Sequence, residues 1–399
     1  MLSHLWKILW KRKLKNAMIS AEILLIFVVI FGVVVGFSYN YQLYQRPLGF
    51  SSENRWRVNM ETNSDILDRP QPQLVDQFRR AITALPEVES VSFIQIEPYS
   101  SSGFSGGFRR VDRDQKIDTY SLSADDVAAK TLAIPQVSGR WFSEQDEASG
   151  EVPIVINRKL AENLFSHEDP IGKVITNSDL RDKDNASYRV VGVIENYRYF
   201  GEFMSQENIA IFRHSAFKNS PLNNMVIHVK PGTQRNFEIK LYQQLRLVRN
   251  DIDYDISPIS EVRDHLLRQK AIFFIPPVMI AGFLLIMVCF GLFGVLWQNV
   301  NSRIPEIGLR CAVGASSAQI YAQIVTEQVL LSSLAMAVGM LFLIQLPFTG
   351  IFAKFIDWSS FFLSAGIAMA IIYAVSITCA LYPAWMASRM SPTDALHYE

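Results

Sequence analysis

Four long apolar segments constrain this chain more than any other feature of its sequence. They extend from Ala17 to Phe37, from Ala271 to Trp297, from about Val329 to Phe348 and from Phe361 to Tyr382. A bilayer core of about 30 Å is crossed by about 20 helical residues, and a backbone in hydrocarbon must satisfy its own hydrogen bonds. Each segment is therefore predicted to be a membrane-spanning helix. A content of 49% hydrophobic and 19% charged residues agrees with this prediction.

The basic residues near these segments predict the orientation of the chain. Cytoplasmic loops of membrane proteins are enriched in Lys and Arg. Such residues precede the first segment, follow the second and follow the fourth: Lys7, Lys11, Arg12, Lys13, Lys15, Arg303, Arg310 and Arg389. Both termini are therefore expected in the cytoplasm of a multi-pass inner-membrane protein. A signal peptide is the competing interpretation of the N-terminus, but no A-x-A cleavage site precedes Ser38.

The polar stretch between the first two segments, residues 38–270, is predicted to be a large extracytoplasmic α+β domain with two lobes. Short runs of branched residues at Ile154–Ile156, Tyr188–Ile194, Ile209–Phe212 and Met225–Val229 are typical of strands. Thr233 is expected to cap a helix that ends near Val248. A stalk helix from Ser260 is expected to continue into the second span, where Pro276 and Pro277 are a candidate hinge.

Several kinds of chemistry lack support in the sequence. Three cysteines in 399 residues match no disulfide framework or zinc spacing, and the six histidines are scattered. No P-loop sequence occurs, so the chain is not expected to hydrolyse ATP or to bind a cofactor. A G-x-S-x-G match at Gly103, Ser105 and Gly107 lacks the strand and helix of a hydrolase elbow, and we interpret it as a flexible loop. Neither metal nor nucleic acid is expected as a ligand.

Polar and small residues within the spans indicate helix packing. Glu22 and Glu327 lie near the cytoplasmic ends of their helices, where a carboxylate costs less than at the bilayer centre, so a packing or interfacial role is favoured. Small residues at four-residue spacing allow helices to approach closely; they are Gly32, Gly36, Ala335, Gly339, Gly366 and Ala370. No polar stripe lines a span in the way that a hydrophilic channel requires.

The cytoplasmic loop after the second span is the most specific feature. Pro305 suits the first turn of a short helix, Glu306 and Arg310 can pair at i,i+4, and Gly314 can end the helix. Ser316 and Gln319 then form a capping box for the next helix. The loop is therefore predicted to hold a short, rigid helix at the inner membrane face, suited to receive a push from a partner. An ordinary interfacial connector is the alternative.

This loop resembles a signature of MacB/FtsX-type ABC transporter permeases. The segment EIGLRCAVGAS (residues 306–316) resembles their E-I-G-x-R-x-A-x-G-A motif, and YPAWMASRMSPTDALHYE (residues 382–399) resembles their C-terminal tail. GRWFSEQD, DPIGK and VVGVIEN in the outer domain resemble the MacB periplasmic core domain. Two departures concern the ATPase contacts: Ile304 and Pro305 precede the signature glutamate, and Cys311 stands where a basic residue is common.

The resemblance implies a function and a set of partners. It implies a non-catalytic permease that transmits ATP-driven motion to the outer domain and exports a peptide, antibiotic, toxin or lipid-like substrate. The implied partners are a dimer of cytoplasmic ATPase subunits carrying ATP and Mg²⁺, a second permease chain, identical or different, and a periplasmic adaptor with an outer-membrane channel. Two alternatives stay open: FtsX-like signalling to a cell-wall hydrolase, and lipoprotein release of the LolC/LolE kind.

The resemblance also implies roles for individual residues. The ATPase-coupling residues are Arg303, Pro305, Glu306, Ile307, Gly308, Arg310 and Gly314, and the cytoplasmic tail residues are Pro383, Arg389, Pro392 and Ala395. The expected organisation is a basic N-terminus (1–16), span one (17–37), outer domain (38–270), span two (271–300), coupling helix and turn (301–319), span three (320–348), a short outer loop (349–360), span four (361–382) and the tail (383–399).

Overall fold

A computed structural model describes residues 13–61, 72–113, 115–166, 168–177, 187–214, 223–350 and 357–388. Its helices are α1 (Lys13–Gln45), α2 (Pro72–Thr83), α3 (Ala128–Thr131), α4 (Arg158–Phe165), α5 (Phe237–Val248), α6 (Ile259–Asn301), α7 (Ile304–Ala312), α8 (Ser317–Leu343), α9 (Gln345–Thr349) and α10 (Trp358–Ser388). Its strands are β1 (Arg55–Glu61), β2 (Val88–Ile94), β3 (Phe104–Arg110), β4 (Ile117–Ala124), β5 (Gln136–Gly139), β6 (Val152–Asn157), β7 (Val174–Asn177), β8 (Ser187–Ile194), β9 (Ile209–Arg213), β10 (Asn224–Val229) and β11 (Asp253–Pro258).

The chain divides into two compact units. The membrane unit comprises Met1–Gln42 and Lys270–Glu399, and the outer domain comprises Leu43–Gln269. Both boundaries fall inside helices, because α1 continues to Gln45 and α6 begins at Ile259. The expected stalk is therefore confirmed as part of one helix with the second span, and Pro276 and Pro277 lie within it.

One lobe of the outer domain is a four-stranded antiparallel section of the sheet with two helices on one face. Its strands lie in the order β11-β1-β10-β2. Ile94 of β2 pairs with Ala124 of β4 and so joins this section to the other lobe. Alternate residues of a strand point to opposite faces, and Trp56, Val58 and Met60 of β1 face a core completed by α2 and α5. The helix α5 begins at Phe237, with Asn236 as its N-terminal neighbour, so the predicted cap at Thr233 is wrong. The Thr233 hydroxyl instead donates to the Lys230 carbonyl at 2.7 Å.

The other lobe is a ring of strands that closes on itself. The order β4-β3-β7-β8-β6-β9 returns to β4 because β9 pairs with β4 in parallel register, while β5 adds to β8. Closure leaves every strand of the ring paired on both sides. The segment with Gly103, Ser105 and Gly107 is not a flexible loop, because most of it forms β3, where Ser105 lies opposite Tyr120 of β4. Backbone pairing with β4 and with β7 holds β3 in the sheet.

The membrane unit contains the four predicted spans as long helices. By length and composition, Ala17–Gln45, Ile259–Asn301, Ser317–Thr349 and Trp358–Ser388 can each cross a membrane. Their shared core includes Phe27 and Phe31 of α1, Leu292 of α6, Met336 of α8 and Phe361 of α10.

Aromatic clusters mark both ends of α10. Trp358 contacts Phe348, Phe361 and Phe362 at its beginning, and Trp297, Tyr382 and Trp385 form a chain of ring contacts near its end. Tryptophan and tyrosine are enriched where a span meets the two membrane surfaces. The spacing of the two clusters along α10 is that expected of a helix crossing a bilayer.

Candidate functional site

The loop after the second span forms the predicted short helix, α7. Pro305 is its second residue, where a proline costs no hydrogen bond, and the chain leaves the helix through Gly314, whose φ of 100° is accessible mainly to glycine. Ser316 and Gln319 form both hydrogen bonds of a capping box at the start of α8. These local features confirm the sequence-based interpretation of the turn.

Two arginines tie α7 and its N-terminal neighbour to α8. Arg303 donates to Glu327 at 2.8 Å, and both side chains are mostly buried. Arg310 donates to Gln323 at 2.6 Å and to Glu306, its predicted i,i+4 partner, at 2.6 Å. Because a half-buried ion pair resists separation more than an exposed one, displacement of α7 is expected to displace α8.

The two sides of α7 differ in exposure. Ile307 is buried among Val300 of α6, Ile320 of α8 and Ala387 of α10. By contrast, 62% of Leu309 and 82% of Val313 is exposed. Leu309 on α7 and Val313 just after it are therefore accessible, whereas Ile307 is not.

A cavity of about 50 Å³ lies between α7 and the helices that hold it. Arg303, Glu306, Ile307 and Arg310 line it together with Glu327. A single water needs about 10–15 Å³ of such space, so the cavity has room for a few waters and not for a drug-sized molecule. Four of the seven predicted coupling residues, Arg303, Glu306, Ile307 and Arg310, thus lie around one small cavity, and their role in coupling stays a prediction.

The remaining predicted residues are distributed as follows. Pro305 is exposed and Gly308 is buried on α7. Pro383 is buried within α10, whereas Arg389, Pro392 and Ala395 lie outside the described residues. No group of three or more His, Cys, Asp or Glu within the described ranges could hold a metal ion.

The small residues of the spans fall into two groups. Ala335 is buried, and a Cβ added at Gly339 would lie 2.8 Å from the Phe27 ring, so this face of α8 receives α1. A Cβ at Gly32, Gly36 or Gly366 would meet nothing within 4 Å, and Ala370 is exposed. For this second group, the role in helix packing stays a prediction.

Two polar features of the spans connect helices. The Glu22 carboxylate lies against Gly291 of α6, where an added Cβ would come within 2.5 Å of it, and this agrees with a packing role. Ser332 of α8 donates to Ser376 of α10 at 2.9 Å, and Gln328 donates to Ser332 at 3.4 Å. The sequence analysis missed this buried chain, although the i,i+4 spacing of Gln328 and Ser332 was visible.

A loop of the outer domain that contacts both α1 and α6 was also missed. We name residues 195–208, between β8 and β9, the clasp loop. Its Arg198 is completely buried and donates to the carbonyls of Leu43 at 3.0 Å, Arg46 at 2.8 Å and Met204 at 2.9 Å. The last carbonyls of a helix have no partner within it and attract a cation. Arg198 therefore caps the outer end of α1.

The clasp loop also holds α6. Its Glu202 accepts hydrogen bonds from Arg263 of α6 and from the Tyr99 hydroxyl, at 2.5 and 3.2 Å. One loop thus bonds both helices that continue from the outer domain into the membrane unit. The only signal in the sequence was a pair of opposite charges, Arg198 and Glu202, within an aromatic segment.

Comparisons with known proteins agree on both units. The MacB-like periplasmic core domain model matches residues 23–237, and the FtsX-like permease C-terminal model matches residues 278–392. The macrolide export ATP-binding/permease protein MacB of Bartonella quintana is 25% identical over 334 residues, which cover 81% of this chain and 48% of that protein. The ABC transporter permease YknZ of Bacillus subtilis is 24% identical over 270 residues, 66% of each chain.

A further relative and a solved structure are also similar to this chain. The pyoverdine export protein PvdT of Pseudomonas syringae pv. tomato is 27% identical over 329 residues, 80% of this chain and 47% of that protein. The chain thus spans about half the length of these ATP-binding/permease relatives. The periplasmic region of MacB from Actinobacillus actinomycetemcomitans superposes with a TM-score of 0.40 at 13% identity, covering 56% of this chain and 97% of that structure.

Proposed function

Because this chain belongs to the ABC transporter permeases that join a MacB-like periplasmic core domain to an FtsX-like membrane domain, we propose that it converts the closure of a separate ATPase into motion of its outer domain. The observation that carries the proposal is the exposure of Leu309 on α7 and of Val313 just after it, together with the ion pair of Arg303 with Glu327. A force on the exposed side of α7 would reach α8 through this ion pair.

Continuous helices support the outward half of the mechanism. Both α1 and α6 belong in part to each unit, so their motion does not have to pass through a flexible linker. At their outer ends, Arg198 and Glu202 bond the two helices to one loop. We infer that an axial or tilting movement of either helix displaces the clasp loop and the strands β8 and β9 that flank it.

The proposed partners follow from assigning ATP hydrolysis to a separate subunit and transmission of its motion to this chain. A dimer of cytoplasmic ATPase subunits would bind ATP and Mg²⁺ and dock on α7, and this chain would bind neither. Two permease chains would provide two α7 surfaces, and both termini would lie in the cytoplasm with the basic residues. A periplasmic adaptor and an outer-membrane channel would complete an export path for a peptide, antibiotic, toxin or lipid-like substrate.

Reconstitution tests the proposal. The chain is purified from its native membrane, the ATPase that accompanies it is identified, and ATP hydrolysis is measured with and without the permease in proteoliposomes. Leu309→Asp with Val313→Asp is expected to abolish stimulation, because a charge in a docking surface is desolvated without a partner. Leu247→Asp alters a leucine of the outer domain that is 78% exposed, and it serves as the control. Full stimulation by the α7 variant would refute docking at this surface.

A further inference from the structure

A cleft of about 370 Å³ opens in the outer domain, on the face of the four-stranded sheet opposite α2 and α5. Arg57 and Asn59 alternate with the core residues of β1 and line its floor, with Asn224 of β10 beside them. Glu97 also lines the cleft, as do His265 and Leu266 of α6. Its volume is within the range of small-molecule sites.

The charged groups Arg57 and Glu97 of the cleft are not hydrogen-bonded to each other. The Arg57 guanidinium already has hydrogen-bond partners, since it donates to the Ser257 hydroxyl and to the Asp255 carboxylate at 2.9 Å each. Glu97 lies 3.7 Å from Arg57, too far for a good hydrogen bond, and only 8% of its side chain is exposed. Among the residues that line the cleft, the buried Glu97 carboxylate therefore has no hydrogen bond from Arg57, whose guanidinium is bonded outside the cleft to Asp255.

The hydrogen-bonding groups of the cleft include a second acceptor without a donor. Asn224 is 8% exposed, and its side-chain nitrogen donates to the Gln95 carbonyl at 2.9 Å, but its Oδ1 has no partner. Burial raises the pKa of Glu97, and the charge of Arg57 at 3.7 Å opposes this shift only in part. The cleft thus holds surplus acceptors and a buried negative charge, and buried charges are stable when they are paired.

We propose that this cleft binds the ammonium group of a small primary amine, with the carbon chain of the amine against Ile96, Phe104 and Leu266. An ammonium has three donors and no acceptor, so it complements the Glu97 carboxylate and the free Asn224 oxygen at once. The three apolar residues line the same cleft. The site belongs to the outer domain alone and does not depend on the transport mechanism proposed above.

A pair of probes that differ in one group tests the proposal. 5-Aminopentan-1-ol and pentane-1,5-diol have the same chain and exchange an ammonium for a hydroxyl. Saturation-transfer NMR titrations use the full chain at pH 8 in nanodiscs of phosphatidylcholine, a lipid without a primary amine. The amine is expected to bind saturably and at least tenfold more tightly than the diol. Equal affinities, or no saturable binding of the amine, would overturn the proposal.

Substitutions assign the binding to this cleft. Glu97→Gln is expected to weaken amine binding at least tenfold, whereas Glu162→Gln, the same change on an exposed residue of α4, leaves it unaltered. Amine binding to Glu97→Gln at wild-type strength would place the probe elsewhere and refute the site.

A second pair of variants tests amine binding in the cleft if Glu97→Gln does not fold. Asn59→Lys introduces an ammonium on the floor of the cleft, and Asn59→Met introduces a long side chain without charge. The lysine variant is expected to block the amine probe and to raise the melting temperature relative to the methionine variant. Identical behaviour of the two variants would show that the cleft does not select an ammonium.

Discussion

Glu202 and Arg263 form an ion pair that fastens the clasp loop to helix α6. Arg263 Nε lies 2.5 Å from Glu202 Oε1, and 6% of the Glu202 side chain is exposed. The bond to Glu202 raises the pKa of Arg263. Since Arg198 of the same loop caps α1, this ion pair completes a connection between the outer ends of α1 and α6.

The first prediction concerns the strength of this connection. Glu202→Gln, Arg263→Gln and the double variant form a double-mutant cycle, read from chemical unfolding of the outer domain in the full chain. We expect a coupling energy of about 1–2 kcal/mol, because Glu202 is buried whereas Arg263 is one-third exposed.

A surface pair provides the control for this cycle. Lys173 and Glu168 lie outside the clasp loop, 2.9 Å apart, and 44% and 45% of their side chains are exposed. Exposed pairs contribute about 0–1 kcal/mol, so the same cycle at these positions is expected to give a smaller coupling energy. Equal coupling in the two cycles would contradict a special role for the clasp loop.

The second prediction concerns the joint between α7 and α8. Arg303→Glu is expected to reduce ATPase stimulation strongly, because two mostly buried carboxylates would then face each other beside a small cavity. Arg303→Glu combined with Glu327→Arg restores opposite charges and is expected to recover part of the stimulation. ATP hydrolysis in proteoliposomes is the measurement.

The neighbouring pair of α7 serves for comparison. Glu306 and Arg310 are more exposed than Arg303 and Glu327, and Arg310 keeps its bond to Gln323 when Glu306 changes. Glu306→Lys is therefore expected to leave membrane insertion intact and to reduce stimulation through the loss of ATPase docking. A reconstituted complex with wild-type activity would count against Glu306 as a coupling residue.

The features that were predicted correctly from the sequence are those that short-range interactions determine. The spans follow from continuous apolar runs, and the turn at Ser316 follows from a hydrogen bond to the residue three positions on. Arg198 and Leu43 are 155 positions apart, and Arg303 and Glu327 are 24 apart. No local pattern links such partners. The parallel pairing of β9 with β4 and the strand at Ser105 also depend on distant neighbours, so the ring was beyond the sequence analysis.

The third prediction concerns close helix packing in the membrane unit. Gly339→Ala adds a Cβ that would lie 2.8 Å from the Phe27 ring, and overpacking of this kind costs about 1–3 kcal/mol. The thermal stability of the protein in detergent should fall, and Phe27→Leu should rescue it. Gly366→Ala adds the same group in open space and is expected to have little effect. A similar loss in both alanine variants would mean that the contact with Phe27 is unimportant.

The last prediction concerns His214, which follows strand β9. Both ring nitrogens are buried without a hydrogen-bond partner, and burial, followed by the charge of Arg213, lowers the pKa of His214 to about 4. An unfolded histidine has a pKa of about 6.5. Between these values the unfolded state binds more protons than the folded state, so stability falls as the pH decreases from about 6.5 to about 4.

His214→Phe removes this proton-binding site and is expected to remove about 1–2 kcal/mol of the destabilisation that the wild type shows between pH 7.5 and pH 4.5. Chemical unfolding of the full chain at both pH values gives the measurement. His228→Phe is the comparison, because His228 lies 3.1 Å from Glu89 and its ring is partly exposed. If the wild type and His214→Phe lose the same stability on acidification, another group causes the loss, since a phenylalanine ring cannot take up a proton.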